Sequence, residues 1–121
     1  MHFNQIVQLL LLFVTAALAE LIPFGPIATL YNEANFQGDH FTVGRLGECV
    51  EIRSNIIGNV GSLKLQHVPS PFYVACALYS NDYCRDPAAS VVWYATALFN
   101  NAYLPDTSAR SISCQLNKSL P

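Results

Sequence analysis

Four cysteines carry the most definite chemistry in this chain: Cys49, Cys76, Cys84 and Cys114, with 26, 7 and 29 residues between them. Thiols can ligate zinc, attack substrates as thiolates, or join as disulfides. Zinc sites usually pair their cysteines at C-x₂₋₄-C spacing, which is not the spacing here. An even number of cysteines in a small exported chain reads as two disulfides. Each contributes about 2–4 kcal/mol, mostly by restricting the unfolded chain. Four cysteines allow three pairings, and their spacing does not choose among them.

Oxidised sulfurs leave no thiol nucleophile, and the other reactive side chains do not form a catalytic set. Asp39 and His40 are adjacent, and neighbours on a strand point to opposite faces, so they make a poor dyad. His67 lies just before two prolines and reads as a loop histidine. Glu48 and Glu51 are also on opposite faces of a strand, whereas a glycosidase needs two carboxyls facing one sugar. G-x-S-x-G, H-E-x-x-H and phosphate-cradling glycine loops do not occur. The chain therefore reads as a non-enzyme that needs no cofactor. Asn117-Lys118-Ser119 is an N-glycosylation sequon.

The elements that must position these groups begin after an apolar run from Ile6 to Ala19, which ends in Ala17-Leu18-Ala19. The run is too short to span a bilayer of about 30 Å and closes on a small-x-small cleavage pattern. Residues 1–19 are thus expected to be a signal peptide, with residues 20–121 a secreted, extracellular domain and no membrane span. All six Lys/Arg and all eight Asp/Glu lie from Glu20 onward, scattered, for a net charge of −2. That balance argues against a nucleic-acid partner, which selects a basic stripe, and equally against anionic membranes.

The domain has almost no helical periodicity, and Gly, Pro, Asn and Asp punctuate it at the rhythm of an all-β sandwich. Strands are expected at 27–31, 40–43, 49–52 and 62–65, then at 73–79, 90–96, 101–104 and 111–116. Between the two sets, Val68-Pro69-Ser70-Pro71 should lie outside the sheets, because proline donates no ladder hydrogen bond. About eight strands in two groups suggest an internal duplication, with motifs at about 27–66 and 72–116. Val91-Val92-Trp93-Tyr94 breaks the in-out alternation of a strand. Either the 97–104 loop covers its second face, or Trp93 and Tyr94 form an exposed patch.

Tyr31-Asn32-Glu33-Ala34-Asn35-Phe36-Gln37-Gly38 resembles the Greek-key signature of the βγ-crystallins: aromatic, four residues, aromatic, one residue, Gly. The resemblance implies a hairpin folded over its own sheet, with Tyr31 and Phe36 as a corner and Gly38 at positive φ. Ser62 resembles the serine that opens the family's fourth strand, and Ser111 is its second copy. In the second motif Tyr79 and Tyr83 stand for the aromatic pair, one residue closer together, with Arg85 about where the glycine would be. A Cys76–Cys84 disulfide is expected to hold that defective hairpin. The family's crossing of the third strand to the partner sheet implies Cys49–Cys114.

Family members often bind calcium through (N/D)-(N/D)-x-x-(S/T)-S stretches with hard oxygen ligands. The corresponding residues here are 57–62 and 106–111. Gly61 replaces a hydroxyl ligand in the first and Arg110 adds a positive charge in the second, so no tight calcium site is expected. The resemblance implies a single-domain βγ-crystallin-like sandwich, secreted and non-enzymatic. If Trp93 and Tyr94 form an exposed patch, it would bind an extracellular protein, a carbohydrate or a second copy as a homodimer; otherwise the domain serves as a stable structural module. A killer-toxin-like antimicrobial or host-directed effector is the alternative.

Overall fold

In the computed structural model, residues 25–85 and 90–119 are described; the expected signal peptide lies outside them. Seven strands form among the described residues: β1 (Ala28–Glu33), β2 (Gln37–Val43), β3 (Cys49–Glu51), β4 (Ser62–Leu65), β5 (Phe72–Tyr79), β6 (Val91–Thr96) and β7 (Ser111–Lys118). They make two antiparallel sheets, of order β2-β1-β4 and β3-β7-β5-β6. β3 belongs to the first motif by sequence yet pairs with β7 of the second. That crossing interlocks the two Greek keys.

Alternation in the strands places one apolar row of each sheet in a shared core. Leu30, Val43 and Leu63 come from the first sheet, and Val74, Cys76, Leu78, Ala95, Ile112 and Cys114 from the second. Ile52, Ile56, Val60, Leu104 and Ala109 arrive from the connections and close the ends. Each fully buried Leu or Ile contributes about 1.5–3 kcal/mol.

The eighth expected strand, 101–104, does not form as a ladder. The segment occupies the corresponding place beside β4: the Leu63 N–H donates to Asn101 O (3.0 Å) and the Leu104 N–H to Gly61 O (2.9 Å). Its remaining groups are bonded elsewhere. Ala102 O accepts from the Asn35 N–H (2.7 Å), and the Ala102 N–H donates to the Asn100 side chain (2.9 Å). A backbone so occupied cannot extend the sheet.

The first hairpin folds back over its sheet through a tight turn at Ala34–Phe36, in which Asn35 and Phe36 have φ of 59° and 60°. The buried Ser62 holds it: Oγ donates to Glu33 O (2.6 Å) and accepts from the Phe36 N–H (3.0 Å). Removing that hydroxyl would strand two backbone groups. Ser62→Ala should therefore cost about 1–3 kcal/mol, read as a lower midpoint in chemical denaturation; an unchanged midpoint would refute the assigned role.

Candidate functional site

The second motif repeats the hydrogen bonding of the first residue by residue. Ser111, also buried, donates to Asn81 O (2.6 Å) and accepts from the Cys84 N–H (3.1 Å). The Gly61 N–H donates to Tyr31 O (2.8 Å), and the Arg110 N–H donates to Tyr79 O (2.7 Å). Counted from Tyr31 and Tyr79, the residue five along is Phe36 in one motif and Cys84 in the other. Both adopt left-handed φ, 60° and 52°.

This register corrects two readings. Tyr83 is not the second corner aromatic; it is 69% exposed, with the Arg85 guanidinium over its ring at 6.0 Å. Arg85 corresponds to Gln37 rather than to Gly38. In the first motif the corner is aromatic: the Tyr31 and Phe36 rings meet edge-on, centroids 6.0 Å apart. Gly38 has φ +84°, and a Cβ there would strike the Asn32 carboxamide, which accepts from the Asp39 N–H (2.9 Å). In the second motif Cys84 occupies the corner and is locked covalently.

The pairing is Cys49–Cys84 and Cys76–Cys114, not the expected Cys49–Cys114 and Cys76–Cys84. The reason is register. Cys76 and Cys114 lie directly opposite on β5 and β7, Cα atoms 4.0 Å apart and both fully buried. Cys49 lies opposite Ser113, which places it on the outer face of the sheet. The second hairpin folds over that face and brings Cys84 to it.

Beside the exposed Cys49–Cys84 bridge lies an open cleft of about 580 Å³, lined among others by Arg45, Glu48, Glu51, Arg53 and Asp82. Most of its charges are paired: Arg45 with Glu48 (3.2 Å), Arg53 with Glu51 (3.4 Å), and Asp82 with Arg110 (2.8 Å), while Arg85, also in the lining, stands over the Tyr83 ring. Exposed pairs of this kind contribute little to stability. Asp39 accepts from Asn55 (2.7 Å), while His40 lies beside the Tyr31 ring, centroids 6.2 Å apart. His67 is exposed on the connection after β4. Asn117, of the sequon, sits on β7 opposite Tyr73, half-buried.

The two stretches compared with calcium sites run side by side: the Gly58 N–H donates to Ala109 O (2.8 Å) and the Val60 N–H to Thr107 O (2.9 Å). Gly61 does more there than lack a hydroxyl. A Cβ would come within 2.9 Å of the Asn32 carbonyl oxygen and the Glu33 carbonyl carbon, so the end of β1 leaves room only for glycine. The Arg110 guanidinium braces the second hairpin through Asp82. The Asp106 carboxylate accepts from the Ser108 hydroxyl (2.6 Å) and N–H (2.9 Å), which hold its pKa below the ordinary value.

Trp93 and Tyr94 do not form one patch. Val91 opposes Tyr79 and Trp93 opposes Leu78, so Val92 is an extra residue at a bulge. Val92 and Trp93 consequently both pack against the core, which explains the broken alternation. Trp93 Nε1 donates to the buried Asn101 side chain (3.0 Å), and only Tyr94 projects, 52% exposed.

No family model matches the sequence, and no curated protein matches it. Solved structures do. A βγ-crystallin domain from Flavobacterium johnsoniae is 17% identical, with a TM-score of 0.55 over 78% of this chain and 99% of that one. The chain has the βγ-crystallin fold. The N-terminal domain of Protein S is also 17% identical (TM-score 0.52; 76% of this chain, 98% of that one). A βγ-crystallin domain of Abundant Perithecial Protein from Neurospora crassa, solved in a Ca²⁺-bound form, is 12% identical (TM-score 0.52; 81% and 98%). Among the described residues, no helix is long and apolar enough to cross a membrane.

Two outcomes are expected. Thiolate attack on a disulfide needs access, so limiting dithiol followed by alkylation should label Cys49 and Cys84 before Cys76 and Cys114; simultaneous labelling would contradict the burial difference. Restoring the hydroxyl by Gly61→Thr should lower the melting temperature in calcium and in chelator alike. A variant stabilised by calcium would show instead that the missing ligand, and not the space, is what closes the site.

Proposed function

We propose that this chain is a secreted, non-enzymatic βγ-crystallin module that acts outside the cell by binding an extracellular protein or carbohydrate. The observation that carries this reading is that all four cysteines are joined in two disulfides. Disulfides persist in oxidising compartments, and one of these bridges stands where the first motif uses an aromatic ring. The apolar N-terminal run with its Ala17-Leu18-Ala19 ending supports the same compartment.

How the reactive side chains are engaged supports a binding rather than a catalytic role. The cysteines are oxidised, Asp82 braces Arg110, Asp39 holds Asn55, and Asp106 closes its own turn through Ser108. Asp39, Asp82 and Asp106 are thus engaged in structure, while Tyr94 and Tyr83 stand exposed as contact groups.

Expression with the native N-terminus in a eukaryotic secretory host tests the proposal. The medium should contain a protein that begins at Glu20 and whose intact mass lacks two hydrogens per disulfide. Retention in the cell with the leader attached and free thiols would refute the extracellular reading.

A further inference from the structure

The turn after β6 is braced from inside yet presents its largest apolar side chains to solvent. Thr96 and Asn101 at its base are buried. Asn101 Nδ2 donates to Thr96 O (3.0 Å) and Phe99 O (3.2 Å), and its Oδ1 accepts from Trp93 Nε1. The Thr96 hydroxyl accepts from the Leu98 N–H (3.3 Å), and Thr96 O also accepts from the Phe99 N–H (3.2 Å). Leu98 and Phe99 are nonetheless each 68% exposed. Tyr94 and Tyr103, on the chain entering and leaving the turn, are more than half exposed as well. Scattered exposed apolar residues need no explanation. An adjacent pair held outward by buried hydrogen bonds, with tyrosines on either flank, does.

The charged side chain among the described residues lining the clefts beside this turn is a lysine. Two small clefts flank the turn, one lined by His67, Phe72 and Leu98, among others, the other by Phe36, Lys64, His67 and Phe99, among others. Among the described residues, no Asp or Glu lines either cleft. Lys64 Nζ stands over the Phe36 ring at 4.9 Å, and Lys118 lies opposite Phe72 in the β5–β7 register. Glu48, Glu51 and Asp82 line a different cleft, around Cys49. Lys64 thus gives the clefts beside the turn a basic side chain despite the small net negative charge of the chain.

We propose that the Leu98–Phe99 turn is a lipid-insertion tip that docks the domain on a bilayer surface bearing anionic headgroups. Leu98 and Phe99 enter the acyl boundary, Tyr94 and Tyr103 lie at headgroup level, and Lys64, His67 and Lys118 face the phosphates. A convex apolar tip suits lipid, which closes around it, better than a protein partner, which would have to offer a matching pocket. Basic side chains near an anionic surface add attraction that salt screens. The proposal does not depend on the extracellular reading, since it concerns only the folded domain.

Co-sedimentation of the purified protein with phosphatidylcholine vesicles, with and without phosphatidylserine, tests it. Trp93, the single tryptophan, bonds to the base of the turn and provides an emission signal that should change on binding. Binding should require phosphatidylserine and weaken with salt. Phe99→Asp and Leu98→Asp should each reduce partitioning at least tenfold while leaving the melting temperature unchanged, because both side chains are exposed. Lys64→Glu should weaken binding to the serine-containing vesicles. Wild-type protein that stays in the supernatant at every composition overturns the proposal. So does undiminished binding by Phe99→Asp, or self-association through the turn without lipid, which would make a second copy its occupant.

Discussion

At the tip of each hairpin a backbone carbonyl and a backbone amide turn away from water, and one buried serine hydroxyl bonds both. Ser62 does this for Glu33 and Phe36, and Ser111 for Asn81 and Cys84. The geometry needs a single small group that donates and accepts at once, and burial makes its loss costly. Once the tip is pinned, the end of β1 presses on Gly61, the Tyr31 carbonyl takes the Gly61 amide, and the crossing segment is carried past the hairpin. The left-handed backbone at Phe36 and at Cys84 costs on the order of 1–3 kcal/mol each, which the serine bonds help to offset.

From this shared frame the two motifs diverge in how each hairpin is latched to the other motif's crossing segment. The amide bond from Ile52 to Arg110 O corresponds to that from Leu104 to Gly61 O, which makes the chain around Cys49 equivalent to the chain around Asn101. The first hairpin reaches the second crossing through the amide of Asn35 on Ala102 O. The second hairpin reaches the first crossing through the Cys84–Cys49 disulfide. Tyr31, Phe36 and Gly38 shape the first hairpin without a covalent link. The second has neither the ring nor the edge-on contact at that corner, and a covalent bond stands in their place.

What could be read from residues alone follows the range of the signal. The Tyr31-to-Gly38 pattern is local, and the alternation of β1, β4, β5 and β7 is enough to group the strands and to indicate the fold. The second hairpin was obscured because Tyr83 supplies an aromatic next to the correct position. Counting five residues from each tyrosine, instead of matching residue type, leads to Cys84. Disulfide pairing depends on register between strands distant in sequence, and a shift of one residue moves a side chain to the other face. Cys49 opposite Ser113 rather than Ile112 is such a difference. The in-out break at Val91-Val92-Trp93-Tyr94 looked like two apolar faces, but one extra residue in the ladder turns Val92 and Trp93 toward the same core.

Gly61 and Arg110 show how one backbone position can be put to opposite uses. Each amide bonds the carbonyl of a motif's leading tyrosine. At Gly61 the end of β1 approaches so closely that no side chain fits. At Arg110 the approach leaves room for a long side chain that returns to Asp82 and holds the hairpin from outside. A small polar residue at both positions could serve as an oxygen donor between the two adjacent stretches; this chain has instead given both positions to hairpin support. The same logic extends to Asn101, which bonds the turn, Trp93 and the Leu63 amide together. Asn101, Asp82 and Asp106 are polar groups drawn into bracing loops. Large apolar and aromatic side chains such as Leu98, Phe99 and Tyr103 are left exposed on the loops that this bracing holds.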